Sequence, residues 1–177
     1  MKRIYYLTLL IAALSLPGSS ADAPPLDPHL DPLRPLLDKT WKGELKGSTP
    51  EKPLVDVARW ERALNGRAVR ILHSINDGIY GGEILVTWDD QKQELAYFYF
   101  TTAGFRTTGT MKLEARRFTT HEIVVGSSEG TTEVRATNEL LPDGTFRVKS
   151  EYFKNGQWVP GHEVTYHEDP NAKVQFR

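Results

Sequence analysis

From about residue 40 onward the chain is divided by turn signals at short intervals, and this rhythm constrains its fold more than any other feature. Asn65-Gly66, Asp77-Gly78, Glu129-Gly130, Asp143-Gly144 and Asn155-Gly156 punctuate a chain otherwise rich in Val, Ile, Thr and aromatic residues. Two-residue turns need positive φ, which Asn-Gly and Asp-Gly adopt readily, and their twist matches that of the flanking antiparallel strands. Strands are expected to begin near Trp41, Leu54, Arg67, Gly82, Glu94, Phe105, Phe118, Thr131, Thr145 and Gln157. No amphipathic stretch of helical length lies between them. About ten antiparallel strands joined by hairpins form a meander that exposes two edges unless it closes. The expected fold is therefore all-β, an antiparallel up-and-down β-barrel of about ten strands.

Several strands alternate clearly. Val69, Ile71, His73 and Ile75 share one face, opposite Arg70 and Ser74. Val134, Ala136 and Leu140 oppose Glu133, Arg135 and Glu139, and Phe146, Val148 and Tyr152 oppose Arg147, Lys149 and Glu151. Side chains alternate in strands, so the apolar member of each pair is expected to face inward. Leu95 to Phe100 is instead apolar on both faces. Its outer face is expected to lie beneath the N-terminal segment or, failing that, to form an exposed apolar patch.

The N-terminus has the form of an export signal. Lys2 and Arg3 precede a nearly continuous apolar run from Ile4 to Leu16, Pro17-Gly18 breaks it, and small residues follow. The run is too short to cross a bilayer as a helix. Residues 1–21 are thus expected to be a signal peptide cut after Ala21, with the remainder in the periplasm or secreted and without an integral membrane span. Cleavage leaves 156 of the 177 residues, enough for one domain with its own core. Residues 22–38 form a Pro-rich linker in which Leu30, Leu33, Leu36 and Leu37 are spaced for a short helix covering one end of the barrel. Residues 39–177 form the barrel domain. The absence of Cys excludes disulfides, a lipidated cysteine and thiolate chemistry. A net charge of −1, falling to −3 without Lys2 and Arg3, argues against nucleic acid or an anionic membrane surface as partner.

Leu36 to Gly47, with Trp41, Gly43 and Gly47 in a Trp-x-Gly-x-x-x-Gly spacing, resembles the opening of lipocalin-like (calycin) barrels and is similar to that of nitrobindin-type haem-binding barrels. A family of exported bacterial proteins, a domain of unknown function, resembles the chain at Trp60 to Arg67, Phe100 to Phe105 and Trp158 to Tyr166. Lys39 stands where the lipocalin pattern has Gly two residues before the Trp. The resemblance implies a lipocalin-like barrel. Through the nitrobindin-type relatives it also implies haem as the one cofactor to consider, with a late histidine, His162, as its iron ligand. No other cofactor and no other metal site is implied.

Two literal motifs are rejected on context. Gly126-Ser127-Ser128-Glu129-Gly130 fits a nucleophile elbow but joins two expected antiparallel strands, whereas the elbow needs a strand-to-helix turn. His162 and His167 are five apart and face opposite ways on a strand, so they do not form a zinc-protease pair. The candidates that remain come from strand faces. His73, His121 and His162 each lie among apolar neighbours and are expected to point inward. Arg59, Arg70 and Glu83 fall near strand middles, where burial would give a ligand's carboxylate or phosphate a cation to meet. Tyr97, Tyr99, Tyr152 and Tyr166 are candidates to line a cavity. All these inward assignments depend on strand register, since a slip of one residue reverses every side chain.

Four functions are compatible with such a chain: a module binding a small hydrophobic molecule in the barrel interior, a haem-binding barrel, a small-barrel enzyme acting on a hydrophobic acid with Glu83 as the buried carboxylate, and a structural envelope protein. The first is the leading expectation, because barrels of eight to ten strands are wide enough to enclose one small ligand. Whether the protein is an enzyme is left open by the sequence.

Overall fold

The computed structural model describes residues 24–177; the expected signal peptide and cleavage site lie outside the described residues. Ten antiparallel strands follow in chain order: β1 (Lys39–Leu45), β2 (Val55–Ala63), β3 (Ala68–Ile75), β4 (Tyr80–Asp89), β5 (Glu94–Thr101), β6 (Arg106–Leu113), β7 (Arg117–Val125), β8 (Thr131–Leu140), β9 (Phe146–Lys154) and β10 (Gln157–Glu168). Each pairs with its neighbours in sequence, and β1 pairs with β10 through Trp41 opposite Glu168 and Leu45 opposite Val164. The barrel is closed, and neither end of the meander is left as an edge. Every strand begins within two residues of the position its turn signals predict. The β9–β10 turn is the expected two-residue form, with Asn155 at φ 51° and Gly156 at φ 79°.

One end of the barrel is plugged. Pro28–Leu36 forms a 3-10 helix whose prolines, lacking N–H groups, cannot complete an α-helical ladder. With three residues per turn, Leu30, Leu33 and Leu36 stack on one face. Leu30 and Leu33 are fully buried against the large side chains of the barrel end, among them Trp41, Trp60 and Phe146. The indole N–H of Trp41 donates to the Leu36 carbonyl at 3.2 Å, and His29 stacks flat on Trp88 with centroids 3.7 Å apart. Asp27 accepts from the His29 backbone and ring, and these bonds hold its carboxyl below the usual range. The capping helix expected at this end is thus present.

The N-terminal segment does not cover the outer face of β5. Its leucines are consumed by the barrel end, and Phe98 and Phe100 are exposed on the outer wall, beside Ile123 and Val125 of β7. After β10 the chain runs back along the outside. Gln175 donates its backbone N–H to Ser74 Oγ, and Arg177 donates to the Asp77 carbonyl. Among the described residues, no helix is long and apolar enough to cross a membrane.

Candidate functional site

The interior is hollow. A cavity of about 470 Å³ occupies the barrel above the plugged end and reaches toward the loops 102–105 and 126–130. The floor is aromatic: Trp60 meets Phe118 and Phe146 edge-on, with centroids 6.0 and 5.7 Å away, and Tyr166 stacks on Phe146. The hollow has a simple origin in side-chain size. Across β7, β8 and β9, the inward row Thr120, Ala136 and Ser150 carries only small side chains. Tyr97 and Tyr99 line the same cavity from β5.

A connected polar chain runs up one wall. Tyr166 donates its hydroxyl to Asp56 Oδ2 at 2.5 Å, with only Gly43 between their positions across β1. Asp56 Oδ1 accepts from His73 Nδ1 at 3.0 Å, which leaves Nε2 to accept from the Tyr99 hydroxyl at 2.7 Å. Tyr80 completes the chain, its hydroxyl 2.8 Å from that of Tyr99. Burial pushes the Tyr80 phenol up to about 12 and Tyr99 further, so both keep their protons. Both polar ends of Asp56 and both ring nitrogens of His73 are therefore occupied by protein.

His162 is held differently. Its Nδ1 lies 2.9 Å from Ser150 Oγ and 2.8 Å from the Tyr152 hydroxyl, while Nε2 has no protein partner among the described residues. No fully buried side-chain nitrogen or oxygen among those residues lacks a partner, so Nε2 retains access to the cavity. Burial lowers the pKa of the ring, the nearby Asp56 charge works the other way, and His73 reinforces the lowering. A β-bulge between Pro160 and Glu163 aims this ring inward. At Gly161 a Cβ would lie 2.4 Å from Ser150 Oγ and 2.9 Å from the Tyr152 ring, so glycine is required where the two clamping side chains cross the strand.

A second carboxyl, Glu122, faces the cavity from β7 and is only 5% exposed. Thr107 donates to its Oε2 at 2.6 Å and Thr120 to its Oε1 at 3.1 Å. Burial raises its pKa above the ordinary value, and the two threonine hydroxyls partly offset that rise. Tyr97 occupies the same cross-strand row, with only Gly109 between them. The Tyr97 phenol is also pushed up by burial, and no protein partner for its hydroxyl is present among the described residues.

Of the residues singled out from sequence, His73, His162, Tyr97 and Tyr166 line the cavity, as do Tyr99 and Tyr152. His121, Arg59, Arg70 and Glu83 do not. Ala58 and Trp60 face inward on β2, so Arg59 faces out; Val69 and Ile71 do the same to Arg70, whose Nε donates to Glu61 at 2.7 Å. Ile84 faces the cavity on β4, which turns Glu83 outward. His121 sits on the outer wall with its Nε2 2.7 Å from Glu133, because the inward row of β7 is Phe118, Thr120, Glu122 and Val124. No Lys or Arg lines the cavity among the described residues. Trp158, which unbroken alternation would put on the same face as His162, lies outside under Arg135, since the bulge reverses the strand's parity.

Asp56, Glu122 and Tyr80 were missed. Asp56 lies four residues before Trp60, so that landmark could have fixed its inward face, but the flanking Val55 and Val57 masked it. Glu122 alternates with Ile123 and Val125, which drew attention to the wrong face. The Gly126–Gly130 segment joins β7 to β8 as an antiparallel connection, and Ser127 and Ser128 sit at the cavity mouth. A separate depression over the outer faces of β1 and β10 is lined by paired charges, such as Lys46 with Glu163, and is open to solvent. Among the described residues no group of three or more His, Asp or Glu is arranged to hold a metal ion.

The sequence matches no protein-family profile, and it matches no curated protein. Among solved structures, the chain is similar to Rv2717c from M. tuberculosis, with a TM-score of 0.60 and 14% identity over 81% of this chain and 99% of that one. Likeness at that identity extends to the barrel fold alone.

Proposed function

We propose that this barrel is a binding protein that encloses one small, largely apolar molecule and holds its polar end against the upper wall. The observation that carries the reading is a cavity of about 470 Å³ with an aromatic floor and a few convergent polar groups. Ligand pockets typically have this size and this mixture. Three of those groups, His162 Nε2, the Tyr97 hydroxyl and Glu122, retain hydrogen-bonding capacity toward the space. The Asp56–His73–Tyr99–Tyr80 chain supplies a rigid, fully bonded backing beside them.

Titration with the neutral probe N-phenyl-1-naphthylamine tests this. Saturable 1:1 binding, with quenching of Trp60 on the cavity floor, is the expected result. A probe that binds equally well to Ala136→Trp, in which the hollow is filled, would remove the reading. The expected export signal places such a carrier in the periplasm or outside the cell, and fractionation of a tagged full-length chain tests that part separately. The exported domain-of-unknown-function resemblance and the lipocalin-like character belong to this same reading.

A second reading, haem binding, is favoured by one observation only: His162 is clamped at Nδ1 and free at Nε2. If Nδ1 carries the proton and donates to Ser150 Oγ, Nε2 presents its lone pair, as a single axial ligand requires. His162 would hold the iron, and haem would supply redox or gas-binding chemistry there. A Soret shift with ferric haem that vanishes in His162→Ala supports it; absence of a shift in the parent protein discards it. The enzyme on a hydrophobic acid receives no support from the lining, which among the described residues holds three carboxyl groups and no Lys or Arg.

A further inference from the structure

Resting on the reading of the barrel as a small-molecule binder, we propose that the head group it selects is a basic nitrogen, an alkyl or aryl ammonium, paired with Glu122. Glu122 is an inward carboxyl almost wholly removed from water, and its partners among the described residues are two neutral hydroxyls. A carboxylate offers about four acceptor positions, so the donations from Thr107 and Thr120 leave capacity on both oxygens.

Among the described residues, the cavity offers no permanent cation as countercharge to an ionised Glu122. No Lys or Arg lines it. His73 is committed through both nitrogens to Asp56 and Tyr99, and His162 is bonded only at Nδ1, with burial disfavouring the charged form of its ring. Asp56 also has two donors, but one of them, His73, is an ionisable ring on its own carboxylate, whereas both donors to Glu122 are neutral hydroxyls; Glu129, the third acid of the lining, sits at the mouth and pairs with Lys154.

A ligand carboxylate would enter a space already lined by three acidic groups, Asp56, Glu122 and, at the mouth, Glu129. A neutral alcohol would find donors and acceptors but would bring no countercharge for an ionised Glu122, whose charged form burial disfavours. An ammonium supplies both the countercharge and the hydrogen-bond donors, and charge-assisted bonds of this kind are about twice as strong as neutral ones. Tyr97, in the same cross-strand row with only Gly109 intervening, places an aromatic ring beside the head group, where cations bind favourably. The aromatic floor takes the apolar body.

The test is a matched series with one tail and three heads. n-Octylamine, n-octanol and n-octanoate are titrated calorimetrically into the folded protein at neutral pH and low salt. The amine is expected to bind about tenfold or more tighter than the alcohol, and the carboxylate weakest. Glu122→Gln is expected to abolish the amine's advantage while leaving the alcohol's affinity within about twofold, which also certifies that the variant is folded. Asp56→Asn is expected to keep the amine preference. Equal binding of amine and alcohol, preference for the carboxylate, or an amine preference that survives Glu122→Gln overturns the head-group assignment and leaves the binder reading standing. If none of the three ligands and no neutral probe binds, the binder reading falls and takes this one with it.

Discussion

Replacing Ala136 by Leu asks whether the interior is hollow, because the two possible answers differ in sign. Ala136 faces inward between Thr120 and Ser150 yet is not fully buried, so its exposed surface borders the cavity. Leucine adds three carbons, which at about 0.8 kcal/mol per buried CH₂ gives roughly 2.4 kcal/mol of gross stabilisation. Fixing the new side chain costs about 0.5–1 kcal/mol, leaving a net gain of about 1.5 kcal/mol. For a domain of this size that corresponds to a rise in Tm of roughly 3–6 °C. Had the core been packed solid, the same change would cost about 1–3 kcal/mol by overpacking. Calorimetric unfolding of ligand-stripped protein measures the difference. A lower Tm for Ala136→Leu, together with unchanged probe binding, would refute the claim that this wall borders empty space.

Leu33, fully buried at the plugged end, should lose about 2–5 kcal/mol when truncated to Ala, read as a lower urea midpoint; a loss below about 1 kcal/mol would mean the 3-10 helix does not seal the barrel. Two buried groups should give pH dependences of opposite sign. The His162 pKa is lowered from 6.5 in the folded chain, so on acidification through 6.5 the unfolded chain takes up the proton first, and the parent should lose stability relative to His162→Gln. The Glu122 pKa is raised from 4.5, so as pH climbs above 4.5 the unfolded chain ionises first, and the parent should lose stability relative to Glu122→Gln. Urea midpoints of all three proteins between pH 4 and 8 test both; parallel curves would mean that neither group is buried as described.

The strand boundaries were legible because turn chemistry is local. Asn155-Gly156 adopts positive φ whatever surrounds it, so the hairpins could be read directly, and closure followed from the cost of open edges. The 3-10 helix was visible as a leucine spacing. Inward faces were legible only where the interior is apolar: β3 was read correctly through Val69 and Ile71, and His73 came with them. On β7 the rule that apolar residues face inward failed, since the inward row there includes Thr120 and Glu122 while Ile123 and Val125 lie outside. On β10 a bulge reversed the alternation, which single-strand patterning does not register. Arg59 and Glu83 were misplaced because apolar residues stand on both faces of β2 and β4, whereas Arg70 lies opposite Val69 and Ile71 on β3, an alternation that already turned it outward. The Asp56–His73–Tyr99–Tyr80 chain links residues from four strands, and its assembly depends on the pairing register, a non-local property.

The most direct measurement is methyl NMR of the labelled protein during titration with N-phenyl-1-naphthylamine or n-octylamine. Ile71, Ile84 and Val134 line the cavity, whereas Ile123 and Val125 are exposed on the outer wall. Saturable shifts confined to the first group are predicted. Shifts confined to the second would put the ligand on the outside and contradict an interior site.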